Sequence, residues 1–340
     1  MRLSVVGAGA IGGIIAARLA LAGETVTAVV RDAARRRAIA EEGFGVIETS
    51  GECRRARGLK AVASMREAGP QDVVIIAVKA HQIAALVPGI RALFAPETAV
   101  VTLQNGLPWW YFERAGGAYE GRRLAALDPD GAIAKAIEAE RIIGGVAYIA
   151  AELAGPALVR HGGGNRLPLG ELDGRASARA ERLSAVLARA GIEAPVTRDI
   201  RAELWFKLWG NACYNPLGAL SHATVGEISR YPPTRALVGA MMEELRALAG
   251  KFGVVFSQSV AERMASAERI AAHRTSMLQD VEAGCALEVE ALMGAVVELG
   301  RLTATPLPHF EAVHASVALL DAEIAESRLA FVREAIGRRA

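Results

Sequence analysis

Short apolar runs alternate with helical patterns through the first 198 residues of the chain. Residues 3–6, 25–30, 72–78 and 99–103 are rich in Val, Ile and Leu and are bounded by glycine or polar residues, which predicts buried strands. The run 72–78 is almost continuously apolar, as is typical of a parallel strand covered on both faces. These strands, with helices between them, predict a doubly wound α/β domain of the Rossmann type over residues 1–198.

Weaker patterns complete the first domain. Helices are expected over residues 83–94 and 174–190, and further strands over 44–50, 59–63, 142–150, 157–160, 167–169 and 192–196. Residues 51–58 are expected to form a basic turn. Residues 161–164 are expected to form a loop, in which a lone histidine, His161, is more often structural than catalytic. The irregular segment 107–141, with its aromatic run Trp109–Phe112, is interpreted as a lid or a substrate-side insertion.

After residue 198 the pattern is helical to the end of the chain. Helices are predicted over residues 199–220, 232–252, 257–272, 276–283, 287–302 and 309–325. We therefore predict an all-α second domain over residues 199–340, which would bind the substrate. Apolar stretches in this domain favour a homodimer.

A glycine pattern connects the first strand to the first helix. It reads Gly7-Ala8-Gly9-Ala10-Ile11-Gly12, and in this strand–turn–helix order it predicts a dinucleotide site. The first glycine permits a tight turn, the second lets the backbone approach a pyrophosphate, and the third permits close packing of helix on strand. The phosphates would lie at the helix N-terminus, where unpaired N–H groups favour anions. A purely structural glycine turn is the alternative.

The end of the second strand distinguishes NADP from NAD. Arg31 stands at its tip, where an arginine favours the 2′-phosphate of NADP through a charge-assisted contact. Asp32 follows, and an acid here favours the ribose hydroxyls of NAD. We predict NADP, with NAD as the alternative. Arg35, Arg36 and Arg37 are expected to form a solvated helix face.

Polar residues also follow two later strands of the predicted sheet. Lys79 follows the strand 72–78, and Asn105 follows the strand 99–103. Open α/β sheets bind ligands at the carboxyl ends of their strands. Both side chains are therefore candidates for the ligand site, although each could instead cap a strand or form a turn.

The helix predicted over residues 199–220 carries a polar stripe. Glu203, Lys207, Asn211 and Asn215 recur every four residues, and large apolar side chains occupy most of the remaining circumference. A helix that is apolar almost all round is buried, so its polar stripe should line an internal cleft. Burial lowers the pKa of a lysine toward neutrality, which suits a proton donor. Lys207 is the first candidate for catalysis, and a solvated helix face is the alternative.

Composition narrows the range of functions. The chain has 340 residues, 52% of them hydrophobic and 22% charged, with a formal net charge of +2. This balance gives no reason to expect nucleic acid or a membrane as a partner. Three separated cysteines predict neither disulfides nor a metal site. Arg18 interrupts the N-terminal apolar run that imitates a signal peptide, so a cytoplasmic protein is expected.

With these features in place, the chain resembles the ketopantoate reductase (2-dehydropantoate 2-reductase) family over nearly its whole length. The residues that carry the resemblance are Gly7, Gly9, Gly12, Arg31, Val78-Lys79, Asn105-Gly106, Lys207, Asn211, Asn215-Pro216-Leu217, Gly226-Glu227, Ser276-Met277-Leu278-Gln279-Asp280 and Glu288. The order and number of these matches make the resemblance specific.

The resemblance implies that a 2-oxo acid, ketopantoate, is reduced to pantoate with NADPH, a step of pantothenate biosynthesis. Lys207 would be the general acid that protonates the forming alkoxide. Asn211 and Asn215 would bind substrate oxygens, and Ser276 would bind the substrate carboxylate. Asn105 would contact both substrate and cofactor. The residues implied at the nicotinamide end of the cofactor are Lys79, Ala151 and Glu288. The glycine-loop residues 7–12 and Arg31 would bind the rest of the cofactor.

Departures from the family pattern leave the substrate open, among them Glu288-Val289-Glu290 and Met293-Gly294 where the family commonly has Glu-Ile-Asp and a later Asn-Gly. The family usually has an asparagine before the Gly226-Glu227 pair, and this chain has Val225. The segment 107–141 also departs from the pattern. A reductase of a different 2-oxo acid is therefore one alternative. A nucleotide-binding sensor without turnover is another, although a sensor would need only the glycine loop.

Overall fold

The computed structural model of the protein describes residues 1–327 and residue 331, and it divides into two compact units. Unit 1 comprises Met1–Gln104, Pro108–Leu124 and Asp128–Glu203. Unit 2 comprises Asn105–Leu107, Ala125–Leu127 and the chain from Leu204 onward. All described strands belong to unit 1, while unit 2 is helical. The predicted fold class, a Rossmann-type domain followed by an all-α domain, is confirmed.

Unit 1 is built from two sheets and short helices. Its described strands are β1 (Arg2–Val6), β2 (Thr25–Val29), β3 (Phe44–Ile47), β4 (Cys53–Ala56), β5 (Lys60–Val62), β6 (Gln71–Ile76), β7 (Phe94–Thr102), β8 (Ile142–Gly145), β9 (Tyr148–Gly155), β10 (Leu158–Arg166) and β11 (Leu169–Glu171). Its α-helices are α1 (Ala10–Leu21), α2 (Ala33–Glu42), α3 (Met65–Ala68), α4 (Ala132–Ala136) and α5 (Ala178–Arg189).

The larger sheet has the order β11-β8-β7-β6-β1-β2-β5. Its strands run parallel from β8 to β5, and β11 is antiparallel to β8. Val6 lies opposite both Val29 and Ile76, so β1, β2 and β6 end side by side. The segments that follow these strands therefore meet at one edge of the sheet, as the sequence predicted for a ligand site.

The smaller sheet, β4-β3-β10-β9, corrects three predictions. Residues 51–58 were expected to be a turn, but β4 lies there and pairs with β3. Residues 142–150 were expected to be one strand, but they are divided between β8 and β9, which belong to different sheets. Residues 161–164 were expected to be a loop, but they lie within β10. In each case pairing with a partner strand outweighs the local sequence signal.

Helix α1 lies between the two sheets. It packs against β1 and β2 on one side and against β3, β4, β9 and β10 on the other. A Cβ atom at Gly13 would lie 2.6 Å from Cζ of Phe44 in β3, so glycine permits this close approach. Because α1 is covered on both sides, it is apolar almost all round.

Arg18 on α1 holds a buried polar cluster against the smaller sheet. Its guanidinium donates to both carboxylate oxygens of Glu48 and, at 2.9 Å, to Oδ1 of Asn165. Nη2 of Arg18 also lies 3.0 Å from Nδ1 of His161, and Nε2 of His161 contacts the carbonyl of Gly164. His161 is therefore occupied within the core, in agreement with its structural interpretation.

The helix predicted over residues 83–94 is wrong. This segment contains the short 3₁₀ turns Ala80–Gln82, Ala84–Leu86 and Ile90–Leu93, and β7 already begins at Phe94. Pro88 lacks the N–H group that a continuous helix needs, and Gly89, with φ −125° and ψ −11°, departs from the helical conformation. These two residues interrupt any continuous helix.

The aromatic run of segment 107–141 is part of the core of unit 1. Trp109, Trp110, Tyr111 and Phe112 are each at most 5% exposed. Nε1 of Trp110 donates to Oγ1 of Thr102 in β7 at 2.9 Å. This burial does not fit a lid, because a lid must be able to leave its contacts; the other interpretation of segment 107–141, a substrate-side insertion, stays a prediction.

Unit 2 is helical throughout its described part. Its α-helices are α6 (Ile200–Ser221, which starts in the last residues of unit 1), α7 (Val225–Arg230), α8 (Pro232–Gly250), α9 (Val260–Glu268), α10 (Ser276–Glu282), α11 (Ala295–Leu302) and α12 (Pro308–Ser327). A π-helical turn, Glu290–Gly294, precedes α11. Helix α7 was not predicted, although Thr224 and Glu227 form a capping box at its start. Within the described part of the chain, no helix is long and apolar enough to cross a membrane.

Candidate active site and cofactor site

Two glycines of the loop between β1 and α1 are required by the protein's own packing. Gly7 has a φ of +94°, which L-residues rarely adopt. A Cβ atom at Gly12 would lie 2.1 Å from the Gly7 carbonyl oxygen and 2.9 Å from Cβ of Ala77, at the end of β6. These positions keep the turn tight and the helix close to the sheet.

Gly9 is different, because a Cβ atom there would meet no protein atom within 4 Å. Packing therefore does not explain this glycine. Gly9 is the N-cap of α1, it makes no side-chain cap, and the first turn holds no acidic residue. Open space above a helix N-terminus with unpaired N–H groups fits the pyrophosphate of a dinucleotide.

The end of β2 is occupied by charged residues with distinct contacts. The carboxylate of Asp32 is the N-cap of α2 and accepts a hydrogen bond from the backbone N–H of Arg35 at 2.8 Å. Nη1 of Arg36 donates to the carbonyls of Val30 (2.8 Å) and Arg31 (2.6 Å). The side chain of Arg31 is exposed.

Arg35 and Arg36 are not a solvated face, so that prediction was wrong for both; Arg37 alone is exposed. Nη2 of Arg35 donates to the carbonyl of Ala8, within the glycine loop, at 2.5 Å. Sequence reasoning missed this contact. The available signal was an arginine in the first turn of a helix that begins at the carboxyl end of β2.

Lys79 lies at the same edge of the sheet as the glycine loop. It follows β6, and the neighbouring Val78 is in contact with the position where Gly7 would carry a Cβ atom. Nε2 of Gln104, at the tip of β7, donates to the carbonyls of Ile76 (3.0 Å) and Val78 (3.2 Å). Gln104 thus holds the segment that carries Lys79, a positioning contact that the sequence did not reveal.

Ala151 lies in the smaller sheet. It belongs to β9, pairs with His161 of β10, and packs against the core around α1. Lys79 and the glycine loop, by contrast, follow strands of the larger sheet. Its implied contact with the cofactor gains no support from this placement.

Helix α6 is anchored in unit 2 by two tryptophans that are fully buried. Nε1 of Trp209 donates to the carbonyl of Met242 at 2.9 Å, and its ring stacks on Phe256 with the centroids 4.2 Å apart. Trp205 stacks on Phe252. These contacts fix the rotation of α6, and with it the direction in which Lys207 points.

Lys207 is half-buried. Burial of its ammonium group lowers the pKa of Lys207 to about 8, and the negative charge of Glu288 acts in the opposite direction and raises it. This agrees with the prediction that the lysine is desolvated. Its amine and ammonium forms are both populated near neutral pH, as general acid–base catalysis requires.

Glu288 is also the partner of Asn105. Nδ2 of Asn105 donates to Oε2 of Glu288 at 3.4 Å. Gly106 has a φ of +84°, and a Cβ atom there would lie 2.1 Å from the carbonyl oxygen of Ala291. The backbone N–H of Leu107 donates to that carbonyl at 2.9 Å. Asn105–Leu107 is therefore held in unit 2, beside the residues that surround Lys207.

The amides of α6 lie one and two turns beyond Lys207. Asn211 is half-buried and Asn215 is 5% exposed. Nδ2 of Asn215 lies 3.5 Å from Oγ of Ser276, which is exposed in the first turn of α10. Unit 2 thus contains two hydrogen-bonded pairs, Asn105 with Glu288 and Asn215 with Ser276. The charge of Glu288 also acts on Lys207.

Glu203 does not belong to this group. It accepts hydrogen bonds from the guanidinium of Arg166 and, at 3.1 Å, from the hydroxyl of Tyr148, all within unit 1. Its charge is thus paired with Arg166. In the polar stripe of α6, Glu203 therefore has a structural role, and the candidates for chemistry begin at Lys207.

The chemistry of the residues found in each unit defines a class of protein. A glycine loop that fits a dinucleotide and a lysine with a pKa near neutrality, accompanied by amides, can support hydride transfer to a carbonyl with protonation of its oxygen. Among the described residues, no group of His, Cys, Asp or Glu side chains is arranged to hold a metal ion. The chain is a nicotinamide-dependent oxidoreductase.

Comparison with known proteins gives the family. Residues 3–174 match the model of "Ketopantoate reductase PanE/ApbA", and residues 199–321 match that of its C-terminal domain. The chain is 44% identical over 323 residues to the 2-dehydropantoate 2-reductase of Mesorhizobium japonicum, which covers 95% of this chain and 98% of the relative. The chain belongs to the ketopantoate reductase family.

Solved structures agree with this assignment. The 2-dehydropantoate 2-reductase of Geobacter metallireducens superposes with a TM-score of 0.83 at 29% identity, covering 94% of this chain and 99% of the other. The same fold occurs in a D-mandelate dehydrogenase solved with NADH and anilino(oxo)acetate, at a TM-score of 0.81 and 22% identity, covering 96% and 99%. The second likeness concerns the fold alone.

Proposed function

We propose that this protein reduces 2-dehydropantoate (ketopantoate) to pantoate with NADPH, a step of pantothenate biosynthesis. The observation that carries the proposal is the position of Lys207, with a pKa of about 8 beside Glu288, on a helix whose next turns present Asn211 and Asn215. The 44% identity to a 2-dehydropantoate 2-reductase over nearly the full chain supports the choice of substrate.

In this proposal the bound NADPH supplies a hydride to C2 of the substrate. Lys207 is the general acid: its ammonium donates a proton to the C2 oxygen as negative charge develops there. Glu288 keeps a larger fraction of Lys207 protonated, because its charge raises the pKa of the lysine. At the end of the reaction Lys207 is neutral and recovers its proton from solvent.

The other polar groups of unit 2 orient the substrate. Asn211 and Asn215 bind substrate oxygens, and Ser276 donates its hydroxyl hydrogen to the carboxylate. The 3.5 Å contact between Asn215 and Ser276 supports their action on neighbouring substrate groups. Asn105 contacts substrate and cofactor, and its bond to Glu288 fixes its amide.

The cofactor site uses the glycine loop, Arg31 and Lys79. The open space at Gly9 supports a pyrophosphate at the N-terminus of α1. NADP is favoured over NAD because Asp32 is engaged in capping α2, while the side chain of Arg31 is exposed at the end of β2. An arginine can contact the 2′-phosphate that only NADP carries.

A different 2-oxo acid is the second candidate, because a D-mandelate dehydrogenase shares the fold. Val225 was the sequence feature that suggested it. However, Val225 is 3% exposed and forms the first residue of α7, with its N–H bonded to the carbonyl of His273. A buried valine offers no surface to a substrate, so Val225 no longer favours an altered substrate.

A homodimer is a further part of the proposal. Tyr231, Ile270 and Leu319 in unit 2 are 61%, 54% and 64% exposed, and large apolar side chains on a surface favour association. Light scattering of the protein as it elutes from a size-exclusion column measures its oligomeric state directly. A monomer at micromolar concentration would contradict this part alone.

The substrate is tested by comparing kcat/KM for ketopantoate with that for 2-oxoisovalerate, which lacks the hydroxyl, and for benzoylformate, the oxo acid of mandelate. We expect ketopantoate to be preferred by at least about 100-fold, since a site built to bind a hydroxyl discriminates strongly against its absence. An equal or inverted preference would transfer the proposal to another 2-oxo acid. Binding of NADPH without consumption of any oxo acid would support the sensor alternative instead.

A further inference from the structure

The side chain of Arg35 starts from a fixed point beside the cofactor loop. Arg35 is the third residue of α2, which follows β2 directly. The carboxylate of Asp32 accepts its backbone N–H at 2.8 Å and so fixes the first turn of the helix. Asp32 therefore fixes the backbone from which the Arg35 side chain extends. The same carboxylate would otherwise be free to bind the ribose hydroxyls of NAD.

Its guanidinium bridges the glycine loop and the turn between β9 and β10. Nη2 donates to the carbonyl of Ala8 at 2.5 Å, and Nε donates to the carbonyl of Pro156 at 2.9 Å. Ala8 lies between Gly7 and Gly9, and Gly9 is the residue above which the space is open. A positive charge is thus held against the loop that receives the cofactor.

An acidic group, Asp32, acts on this charge: burial lowers the pKa of Arg35, and the negative charge of Asp32 raises that pKa by less. The hydrogen bonds that the Arg35 guanidinium donates go to neutral carbonyls. A guanidinium has five N–H groups, so three remain for a ligand. The side chain is half-buried, and desolvating a cation is unfavourable unless an anion compensates for it.

The neighbouring arginines have different contacts. Both hydrogen bonds of Arg36 hold the carbonyls of Val30 and Arg31, so Arg36 fixes the backbone at the end of β2. Arg37 is exposed on the outer face of the helix. Among the arginines of this segment, Arg31 and Arg35 are therefore the ones that a ligand could use, one at the tip of β2 and one against Ala8.

We propose that Arg35 is a second phosphate-binding residue, which acts together with Arg31 on the 2′-phosphate of the cofactor's adenosine ribose. This deepens the proposed function and rests on its NADP preference. The bond to Ala8 couples the arginine to the glycine loop, so the guanidinium is positioned before the cofactor arrives. Pre-positioning lowers the entropic cost of forming charge-assisted bonds to the phosphate.

The test compares phosphorylated and unphosphorylated ligands on Arg35→Gln, Arg35→Lys and the control Arg37→Gln. Dissociation constants are measured by calorimetry for NADPH, NADH, adenosine 2′,5′-bisphosphate and AMP. Arg35→Gln should weaken NADPH and the bisphosphate by about 10- to 100-fold, the scale of one charge-assisted bond, and NADH and AMP by less than about 3-fold. Arg35→Lys should fall between, because it keeps the charge and loses the fork.

Each contrary result has its own meaning. Equal loss of NADPH and NADH in Arg35→Gln, with a lower melting temperature, would overturn the proposal and leave Arg35 as a brace of the loop. An effect no larger than that of Arg37→Gln would overturn it as well. If the wild type does not prefer the 2′-phosphorylated ligands, the NADP preference itself fails. Reduction of ketopantoate by the wild type with either cofactor tests the rest of the proposed function separately.

Discussion

The side-chain amide of Asn105 donates to Oε2 of Glu288 at 3.4 Å, across 183 positions of the sequence. Glu288 also raises the pKa of Lys207, which burial lowers to about 8. One carboxylate therefore acts on both the candidate proton donor and an amide that would bind substrate and cofactor. Its removal should be visible in a pH profile.

Glu288→Gln should shift the pH dependence of reduction toward lower pH. Reduction needs the ammonium form of Lys207, so its rate falls as pH rises through the lysine pKa. Without the negative charge, the pKa lies lower than about 8, and activity is lost earlier as pH rises. Oxidation of pantoate needs the neutral amine, so its rise with pH should begin earlier as well.

The matched control is Glu290→Gln, which removes an exposed carboxylate two residues away. It should leave the midpoint of the pH profile unchanged. A profile of Glu288→Gln that coincides with that of the wild type would show that Glu288 does not set the pKa of the donor.

Arg31→Ala should weaken NADPH by about 1.5–3 kcal/mol, one charge-assisted contact, and leave NADH nearly unchanged. Fluorescence titration with both cofactors measures the difference. Asp32→Asn keeps a capping side chain at the start of α2 and should alter neither affinity strongly. Loss of NADH affinity in Asp32→Asn would instead assign the ribose contact to Asp32.

Gly9→Ala should reduce cofactor binding without unfolding the protein. The added Cβ meets no protein atom, so the free energy of unfolding should change by less than about 1 kcal/mol. It does occupy the space above the N-terminus of α1, so NADPH binding should weaken by about tenfold or more. Gly58→Ala, also in open space but away from the loop, is the control. Equal NADPH affinity in the two variants would show that the pyrophosphate does not bind at Gly9.

Features that depend on short sequence separation could be predicted. The glycine loop follows from local spacing, and the Lys207–Asn211–Asn215 stripe follows from the period of one helix. The desolvation of Lys207 was predictable because large apolar side chains occupy most of the circumference of α6 around the polar stripe, as in a buried helix.

Features that depend on distant pairing could not. Nothing local to Asn105 or Glu288 indicates their contact, which joins residues 183 positions apart in the sequence. Arg35 reads as a surface residue in a helical pattern, since its contacts with Ala8 and Pro156 depend on how α2 follows β2. The absence of a helix at residues 83–94 could be predicted locally, because Pro88 lacks the N–H group that a continuous helix needs and Gly89 follows it.

The most direct measurement is kcat for ketopantoate reduction from about pH 6 to about pH 10, in the wild type, Lys207→Ala and the exposed control Lys251→Ala. The wild type and the control should lose activity as pH rises above about 8, the pKa of Lys207. Lys207→Ala should have a kcat lower by about 10²–10⁴ without that transition, while its affinity for NADPH is unchanged. A kcat near that of the wild type with the same pH profile would contradict the assignment of Lys207 as the proton donor.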